Sequence, residues 1–423
     1  MSKQVDGLWR HPNFLKLWAG QSVSQFGSQI TVLALPLTAA LTLHASAANM
    51  GFLAAASTAP FLLFGLFVGV WVDRLRRRPI LMIADVARFT LLALIPMLAL
   101  LDALALVDLY VIAFLVGILT VFFEVAYQSF LPAVVGRAHL VDGNGKLETT
   151  RSAAQIAGPS TAGALVQLVT APIAIAVDAL SFLISVLFLT LIRTPEPPPA
   201  QSATQRRVWP EIGEGLRAVM DDPILRATMG SAGTVNIFGS MLFAVYVLYA
   251  LRIGIGAGLL GLTFAVGNLG YLCGAFLTRP MTRRFGIGPT ISAGLIVMAV
   301  CGLLIPLAGG PLAVIVLCLM IAQFARGFGG TLFNINNVSL RQTITPDHLL
   351  GRVNATSRFV STGALTIGSL AGGTLGAVFG LRPTLVIGAV GGLFSVVWVF
   401  YSPIRTLRER PTPIEERTDA AYW

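Results

Sequence analysis

Charged residues are scarce in this chain of 423 residues: they make up 11% of it, against 55% hydrophobic residues. So few charges cannot cover a water-facing surface of ordinary polarity, which excludes a soluble globular protein. Apolar runs of about 18 residues or more, the length that crosses about 30 Å of hydrocarbon as a helix, occur repeatedly. The composition therefore predicts an integral membrane protein that lies in the lipid bilayer.

Cysteine and histidine are also few. The three cysteines, Cys273, Cys301 and Cys318, lie inside apolar runs and form no CxxC pair, and the four histidines lack a ligand spacing such as HExxH. A phosphate-binding GxxxxGK segment is absent as well. We therefore expect no metal, no cofactor and no ATP hydrolysis, and we predict that the chain is not an enzyme.

The apolar runs predict an all-α membrane protein with twelve transmembrane helices. Short alternating segments typical of a membrane β-barrel are lacking. The predicted helices centre near residues 30, 61, 90, 118, 158, 181, 238, 266, 296, 323, 365 and 392.

The formal charge of +10 follows the membrane topology rather than a nucleic-acid surface. About 23 of the 29 Lys and Arg residues fall in alternate connectors, whereas Arg252 and Arg382 fall on the other side with Asp102 and Asp108. Since basic connectors stay in the cytoplasm, both termini are predicted to be cytoplasmic, in the cell membrane. The polar start of the chain, residues 1–13, predicts no removable signal peptide, and no nucleic-acid partner is expected.

A polar stretch near the middle divides the predicted helices into two groups of six. It is interpreted as a stiff, extended linker because it contains Pro195 and the run 197–199. The predicted domains are residues 1–192 and 224–402, with a cytoplasmic linker at 193–223 and a cytoplasmic tail at 403–423. The halves repeat at offsets of about 209 to 212 residues: His11-Pro12 with Asp222-Pro223, Phe26-Gly27-Ser28 with Phe238-Gly239-Ser240, His139 with His348, Gly158 with Gly368 and Gly163 with Gly373. Such repeats are typical of secondary transporters.

A basic connector after the second predicted helix resembles the loop signature of the major facilitator superfamily. The matching residues are Gly69, Asp73, Arg74, Arg77 and Arg78, and a weaker copy begins at Gly274. Arg76 stands where the family usually has glycine, and Thr278 where the second copy would have an acid. The resemblance, which covers essentially the whole chain, implies two pseudo-symmetric bundles of six helices. Such a loop can make charge-assisted hydrogen bonds in one conformation and release them in another, or the arginines only fix topology.

The fifth predicted helix resembles the pattern found in exporters of this superfamily, through Gly145, Ala154, Gly158, Pro159, Ala162 and Gly163. Small residues allow close helix contact and proline bends the helix, so a purely structural role is the alternative. Residues 121–129 and 148–152 resemble the macrolide-efflux and siderophore-export branch. The resemblance implies export of a drug-like or siderophore-like molecule.

Ionisable groups at membrane depth are the candidates for proton coupling, because each costs at least about 2.5 kcal/mol there. All the acids at this depth are in the first half. Glu124 is the leading proton-coupling candidate and Asp178 the second, while permanent pairing of Glu124 with Arg88 or Arg151 is the alternative. The three-residue spacing of Asp85 with Arg88, and of Glu148 with Arg151, predicts gating contacts or static ion pairs.

Hydrogen-bonding side chains predict a cavity lining. On the first helix, Gln21, Gln25, Ser28 and Gln29 share one face; the resemblance implies an acid near Ser28, which is missing here. The second half adds the polar or basic residues Asn236, Asn268, Arg326 and Asn334. Arg326 is predicted to attract an anionic substrate or to hold a counter-ion, and a structural salt bridge is the alternative.

The sequence thus predicts a secondary transporter that exports a small amphipathic molecule in exchange for protons, with a monomer sufficient for the cycle. Two alternatives stay open: an uptake symporter of the same fold, and a lipid scramblase or membrane sensor that transports nothing. The identity of the substrate cannot be read from the sequence, because such binding pockets are apolar with a few polar groups.

Overall fold

The computed structural model describes residues 8–65, 67–136, 139–194 and 208–408, which form helices and connectors without a strand. Twelve long helices contain the twelve predicted centres, so the predicted helix count is confirmed. They are α1 (Pro12–Leu37), α2 (Ala47–Phe64), α3 (Arg77–Leu100), α4 (Leu106–Val135), α5 (Leu140–Leu168), α6 (Ala171–Leu191), α7 (Pro223–Arg252), α8 (Ala257–Phe285), α9 (Ile287–Gly302), α10 (Leu312–Ile344), α11 (Asp347–Val378) and α12 (Leu381–Phe400).

Nine of these helices, with α9 extended to Leu307, are long and apolar enough to cross a membrane when the described residues are judged by length and composition alone. The other three, α1, α5 and α11, are as long but carry more polar side chains. In α1 these include the glutamines of the predicted cavity face, and α5 begins with the segment that holds Glu148 and Arg151. Two of these three helices, α1 and α5, are thus helices to which the sequence assigned part of the functional surface.

The second part of the predicted linker is helical, which corrects the expectation of an extended segment throughout. Val208–Asp221 forms a helix of 14 residues. Val219 is buried, Gly215 packs against the backbone of Arg352, and Glu214 Oε2 lies 2.6 Å from Arg352 Nη1. Burial against α11 therefore stabilises the helix. The proline-rich run lies outside the described residues.

By residue contacts, the chain forms two compact units. Unit 1 comprises Met1–Ala45, Ala56–Arg206 and Gly256–Gly261, and unit 2 comprises Ser46–Ala55, Arg207–Ile255 and Leu262–Trp423. Each unit has a hydrophobic core at the end where the basic connectors lie, with Phe14 and Phe130 in unit 1 and Ile224 and Leu340 in unit 2. The predicted domain limits at residues 192, 223 and 402 stay predictions.

A close helix contact in unit 1 joins α5 to the start of α8. A methyl group on Gly163 would overlap the carbonyl oxygen of Ala257, and one on Gly261 would overlap that of Pro159. Only glycine allows two backbones to approach so closely. The contact explains why residues 256–261 group with unit 1.

Unit 2 contains the same contact at matching positions, between α11 and the start of α2. A methyl group on Gly373 would lie 2.6 Å from the Cα atom of Gly51, and one on Gly51 would lie 2.7 Å from the carbonyl oxygen of Ser369. Gly51 and Gly261 are 210 positions apart, as are Gly163 and Gly373. The internal repeat therefore appears in the structure as equivalent glycine contacts in the two units.

The repeated dipeptides at the starts of α1 and α7 have the same role in both units. The His11 side chain accepts a hydrogen bond from the Phe14 backbone N–H (3.2 Å), and Asp222 Oδ1 accepts from the N–H groups of Ile224 and Leu225 (2.8 Å each). Proline follows each cap at the first helical position, where its missing N–H has no cost. Both halves therefore begin with the same helix-start signal.

Candidate functional site

A buried ion pair lies on α3 in unit 1. Asp85 and Arg88 are 0% and 4% exposed, and Arg88 Nη2 contacts Asp85 Oδ1, as their spacing of one helical turn predicts. The guanidinium lies 4.3 Å from the ring centre of Phe123 and 4.2 Å from that of Phe182. Arg88 is therefore held between two aromatic rings, a geometry that suits its planar, weakly hydrated head group.

Asp178 on α6 is a second buried carboxylate, 1% exposed. Its Oδ2 accepts a hydrogen bond from Thr31 Oγ1 (2.5 Å) and its Oδ1 one from Ser181 Oγ (3.1 Å). Ser28 follows Gly27, the residue of α1 that packs against this carboxylate. A carboxylate therefore lies beside Ser28 as the family resemblance implies, but α6 supplies it instead of α1.

Gly27 makes room for this carboxylate. A methyl group at this position would lie 2.6 Å from Asp178 Oδ1 and 2.7 Å from Ser181 Cβ. Since real Cβ atoms do not approach so closely, any larger residue would displace Asp178 or separate α1 from α6. The repeat partner Gly239 has no neighbouring heavy atom within 4 Å, so the tight fit is particular to unit 1.

Glu124 on α4 completes a group of acids around Arg88. Its side chain is exposed, unlike those of Asp85 and Asp178, and both Glu124 and Asp178 lie close enough to Arg88 to attract its charge. We call Asp85, Arg88, Glu124 and Asp178 the carboxylate cluster. Arg88, one of the two partners predicted for Glu124, thus lies in its neighbourhood, and a permanent ion pair between them stays a prediction.

The cluster has an excess of acid, with three carboxylates around one guanidinium. In a region of low dielectric, fully ionised acids would leave two negative charges without a compensating cation. Protons are the simplest way to neutralise them. The cluster is therefore a candidate proton-binding site, with Glu124 as its exposed member.

The polar face of α1 contributes three glutamines in different settings. Gln21 is buried, and its Nε2 atom has no hydrogen-bond partner among the described residues; Gln25 is half-buried. Gln29 packs on α5, where a methyl group on Gly158 would overlap its Cβ atom. Gln29 thus contributes to helix packing as well as to the predicted lining.

Along α5, the predicted exporter pattern divides into two parts. Gly158, Pro159 and Gly163 are buried in close helix contacts, whereas Gly145 is exposed and has no neighbour within 4 Å. Glu148 and Arg151 are both exposed, and no ion pair joins them in the part of the chain that the structure describes. Their gating role stays a prediction; the static pair predicted as its alternative is not formed.

The basic connector after α2 contacts the end of α6 through one arginine. Arg78 donates to the carbonyl oxygens of Leu189 (3.0 Å) and Thr190 (2.8 Å). The last carbonyls of a helix carry partial negative charge and lack helical partners, so Arg78 caps α6. Arg74 is exposed, Arg77 is half-buried, and the side chain of Asp73 lies outside the described residues.

We expect Arg78→Ala to lower the free energy of unfolding by about 1 to 2 kcal/mol, because two charge-assisted hydrogen bonds to α6 are lost. Unfolding of the purified protein in mixed micelles measures the change. The neighbouring Arg76→Ala, which removes an exposed arginine, is the matched control and should change stability little. Equal losses in the two variants would show that general charge, not the cap, is responsible.

In unit 2 the predicted lining residues are spread over three helices. Asn236 on α7 and Asn268 on α8 are half-buried, and Asn334 on α10 is exposed. Arg326 on α10 is half-buried, lies one helical turn after the buried Gln323, and is near enough to Tyr246 for the two groups to interact electrostatically. Tyr246 OH and Thr263 Oγ1 are 3.0 Å apart. We call Arg326, Tyr246, Gln323 and Thr263 the arginine cluster.

Sequence reasoning missed the neutral members of the arginine cluster, Tyr246, Gln323 and Thr263. It also missed Thr31 and Ser181, the hydrogen-bond partners of Asp178. Ser181 carried a signal, because it lies three residues after Asp178 on one helix face. The other contacts join different helices, and a single sequence does not reveal which helix faces meet.

Comparisons with known proteins agree with this architecture. The Major Facilitator Superfamily model matches residues 17–319 and 229–421. The multidrug efflux pump Tap of Mycolicibacterium fortuitum is 31% identical to the chain, over 94% of this chain and 97% of that protein. The macrolide efflux protein A of Streptococcus pyogenes is 25% identical, over 70% of this chain and 79% of that protein.

Solved structures have the same fold at much lower identity. A mutant form of the nucleoside transporter NupG matches with a TM-score of 0.76 at 12% identity, covering 92% of this chain and 99% of that chain. A bacterial homologue of the iron transporter ferroportin in an inward-facing state matches with a TM-score of 0.71 at 18% identity, covering 92% and 98%. These identities show a common fold of two six-helix bundles and nothing about substrate.

Proposed function

We propose, from the premise that the chain belongs to the Major Facilitator Superfamily, that it exports a small amphipathic molecule in exchange for protons. The family consists of membrane transporters, so the chain is a multi-pass transporter of a small molecule rather than an enzyme. We propose three further properties: the direction of transport is outward, the coupling ion is the proton, and the substrate is a small amphipathic molecule.

The carboxylate cluster is the observation that carries proton coupling. Three acids lie around Arg88, and only Glu124 among them is exposed. An accessible carboxylate beside a buried cation can exchange a proton with water while the cation limits the cost of its ionised form. Glu124 is therefore proposed as the exchanging group, and Asp178, held by Thr31 and Ser181, as the internal partner.

The direction of transport is inferred from the relatives and from α5. Both curated relatives named above are described as efflux proteins, and Gly158, Pro159 and Gly163 occupy the packed part of the exporter-like pattern. We place the protein in the cytoplasmic membrane with both termini in the cytoplasm, because the basic connectors lie on that side. A monomer is sufficient for this cycle.

Gradient-driven efflux from proteoliposomes tests the proposal. The vesicles are loaded with rhodamine 6G, with dansyl-aminohexanoate or with its methyl ester, and the membrane potential is clamped at zero. Acidifying the outside by about two pH units should accelerate the loss of at least one probe from the vesicles. Protons that enter through an antiporter drive the probe outward. This holds for both orientations of the protein in the vesicle membrane.

Each other outcome identifies a different function. Slower loss or net uptake under the same gradient would indicate a symporter. Lipid movement or probe binding without any gradient dependence would indicate a scramblase or a sensor. A protein that moves no probe with or without the gradient would contradict the proposed substrate class.

A further inference from the structure

We propose that the arginine cluster of unit 2 binds an anionic group on the transported molecule, so that the substrate class is an aromatic or similarly flat amphiphile with one negative charge. This inference rests on the proposed function and adds a substrate feature to it. It concerns residues of unit 2 that the proton-handling part of the proposal does not use.

The first argument is the depth of the charge. Arg326 lies near the middle of α10, a helix of 33 residues, and is therefore about 21 Å from its start and about 27 Å from its end at 1.5 Å per residue. A cation at this depth is costly and is rarely kept without a partner or a task. Its arginine head group cannot lower that cost by losing its proton.

The second argument is that no acid accompanies it. The sequences of α7 to α10 and α12 contain no Asp or Glu, and Asp347, the only acid in α11, is its first residue. Among the described residues no carboxylate oxygen lies within 4 Å of Arg326. Arg88 in unit 1 is the opposite case, with three acids around one arginine.

The third argument is the chemistry of the neighbours. Tyr246, Gln323 and Thr263 are neutral side chains that donate and accept hydrogen bonds. Tyr246 OH lies 3.0 Å from Thr263 Oγ1, Gln323 lies one helical turn before Arg326 on α10, and Tyr246 is near enough to Arg326 to act on its charge. Donors of this type orient a carboxylate or phenolate oxygen without cancelling the charge of the arginine. A site built to hold the arginine in a permanent ion pair would need an acid in this place.

Aromatic rings next to the arginine cluster suit the flat, apolar part of the proposed substrate. Phe264 packs edge-on against Tyr246 with ring centres 5.4 Å apart, and against Phe243 at 5.9 Å. Phe243 is 40% exposed. The cation and the ring surface together match one charged group joined to an apolar ring system.

Equilibrium binding to the purified full-length protein in nanodiscs tests the inference without any requirement for transport. The probes are dansyl-aminohexanoate and its methyl ester, which differ by one negative charge. We expect the wild type to bind the acid more tightly than the ester by about ten-fold, the effect of one charge-assisted hydrogen bond. Equal binding, or no binding of either probe, would overturn the inference, and this comparison needs no variant.

Variants identify the arginine as the source of the preference. Arg326→Gln should bind acid and ester alike, and Arg326→Lys should keep part of the preference because it keeps the charge but not the planar fork. Arg341→Gln on the same helix is the matched control, since Arg341 hydrogen-bonds to Asn354 and Ser357, and it should leave the ratio unchanged. A preference that survives Arg326→Gln would refute the assignment.

Two further outcomes distinguish the alternatives. Displacement of the acid by chloride, when chloride replaces gluconate at constant ionic strength, would show a site for an inorganic anion and overturn the inference. Failure of the proposed function has a separate signature: loss of gradient-driven efflux of every probe while the acid still binds more tightly than the ester. The inference would then stand for a protein with another transport mode.

Discussion

Glu124→Gln abolishes the acceleration of efflux by a pH gradient while it preserves exchange of probe across the membrane. The amide has nearly the same shape as the carboxyl group but does not exchange a proton at this pH. Proton coupling is therefore lost, while the pathway for the probe is kept. A gradient of about two pH units supplies about 2.7 kcal/mol per proton, which sustains roughly a 100-fold concentration ratio. In the variant this ratio falls to about one.

The measurement compares gradient-driven efflux with equilibrium exchange of rhodamine 6G in the same vesicles. Glu214→Gln is the control, because Glu214 belongs to the helix between the halves and pairs with Arg352 outside the cluster; it should retain coupling. Asp178→Asn separates the two candidates. If Glu124→Gln behaves like the wild type and Asp178→Asn loses the gradient effect, Asp178 is the coupling carboxylate and our assignment is wrong.

Arg88→Gln lowers the free energy of unfolding by about 3 to 5 kcal/mol, the largest stability effect expected in this chain. The substitution leaves the buried carboxylate of Asp85 without its cation, and breaking one partner of a buried pair is far more costly than removing both. It also removes the guanidinium from between Phe123 and Phe182. Arg88→Lys should recover only part of the loss because an ammonium does not stack as the planar group does.

Two comparisons test this explanation by unfolding in mixed micelles. The double variant Asp85→Asn with Arg88→Gln should recover much of the lost stability, since no uncompensated charge remains. Arg88→Gln should also be less destabilising in acidic than in mildly alkaline buffer, because a proton then neutralises Asp85. Additive losses in the double variant would show that packing, not charge, dominates.

Much of the fold was predictable because membrane thickness fixes the length of each helix. Twelve apolar segments of sufficient length predict twelve helices, and all twelve are present. The internal repeat was also readable, since the N-terminal caps at His11 and Asp222 recur at a constant offset. The helix Val208–Asp221 was missed because a proline-rich neighbour dominated the interpretation of that segment.

The candidate site was predictable only where its residues lie on one helix. The spacing of Asp85 and Arg88 gave their contact directly. The contact of Thr31 with Asp178 spans two helices and 147 positions, and no periodicity within either helix indicates it. Residue spacing also gave a wrong alternative. The spacing of Glu148 and Arg151 allows an ion pair, yet the ion pair found among the described residues at this end of α5 joins Lys146 to Asp142.

The three polar helices α1, α5 and α11 have a consequence for how the protein enters the membrane during synthesis. Each of them is less apolar than the nine helices that meet the length and composition of a membrane span, but each is followed after a short connector by one of those nine: α2, α6 and α12. Insertion as a hairpin would let the apolar second helix carry the polar first one. The transport pathway would then depend, for its biogenesis, on the apolar helix that follows each polar one in the chain.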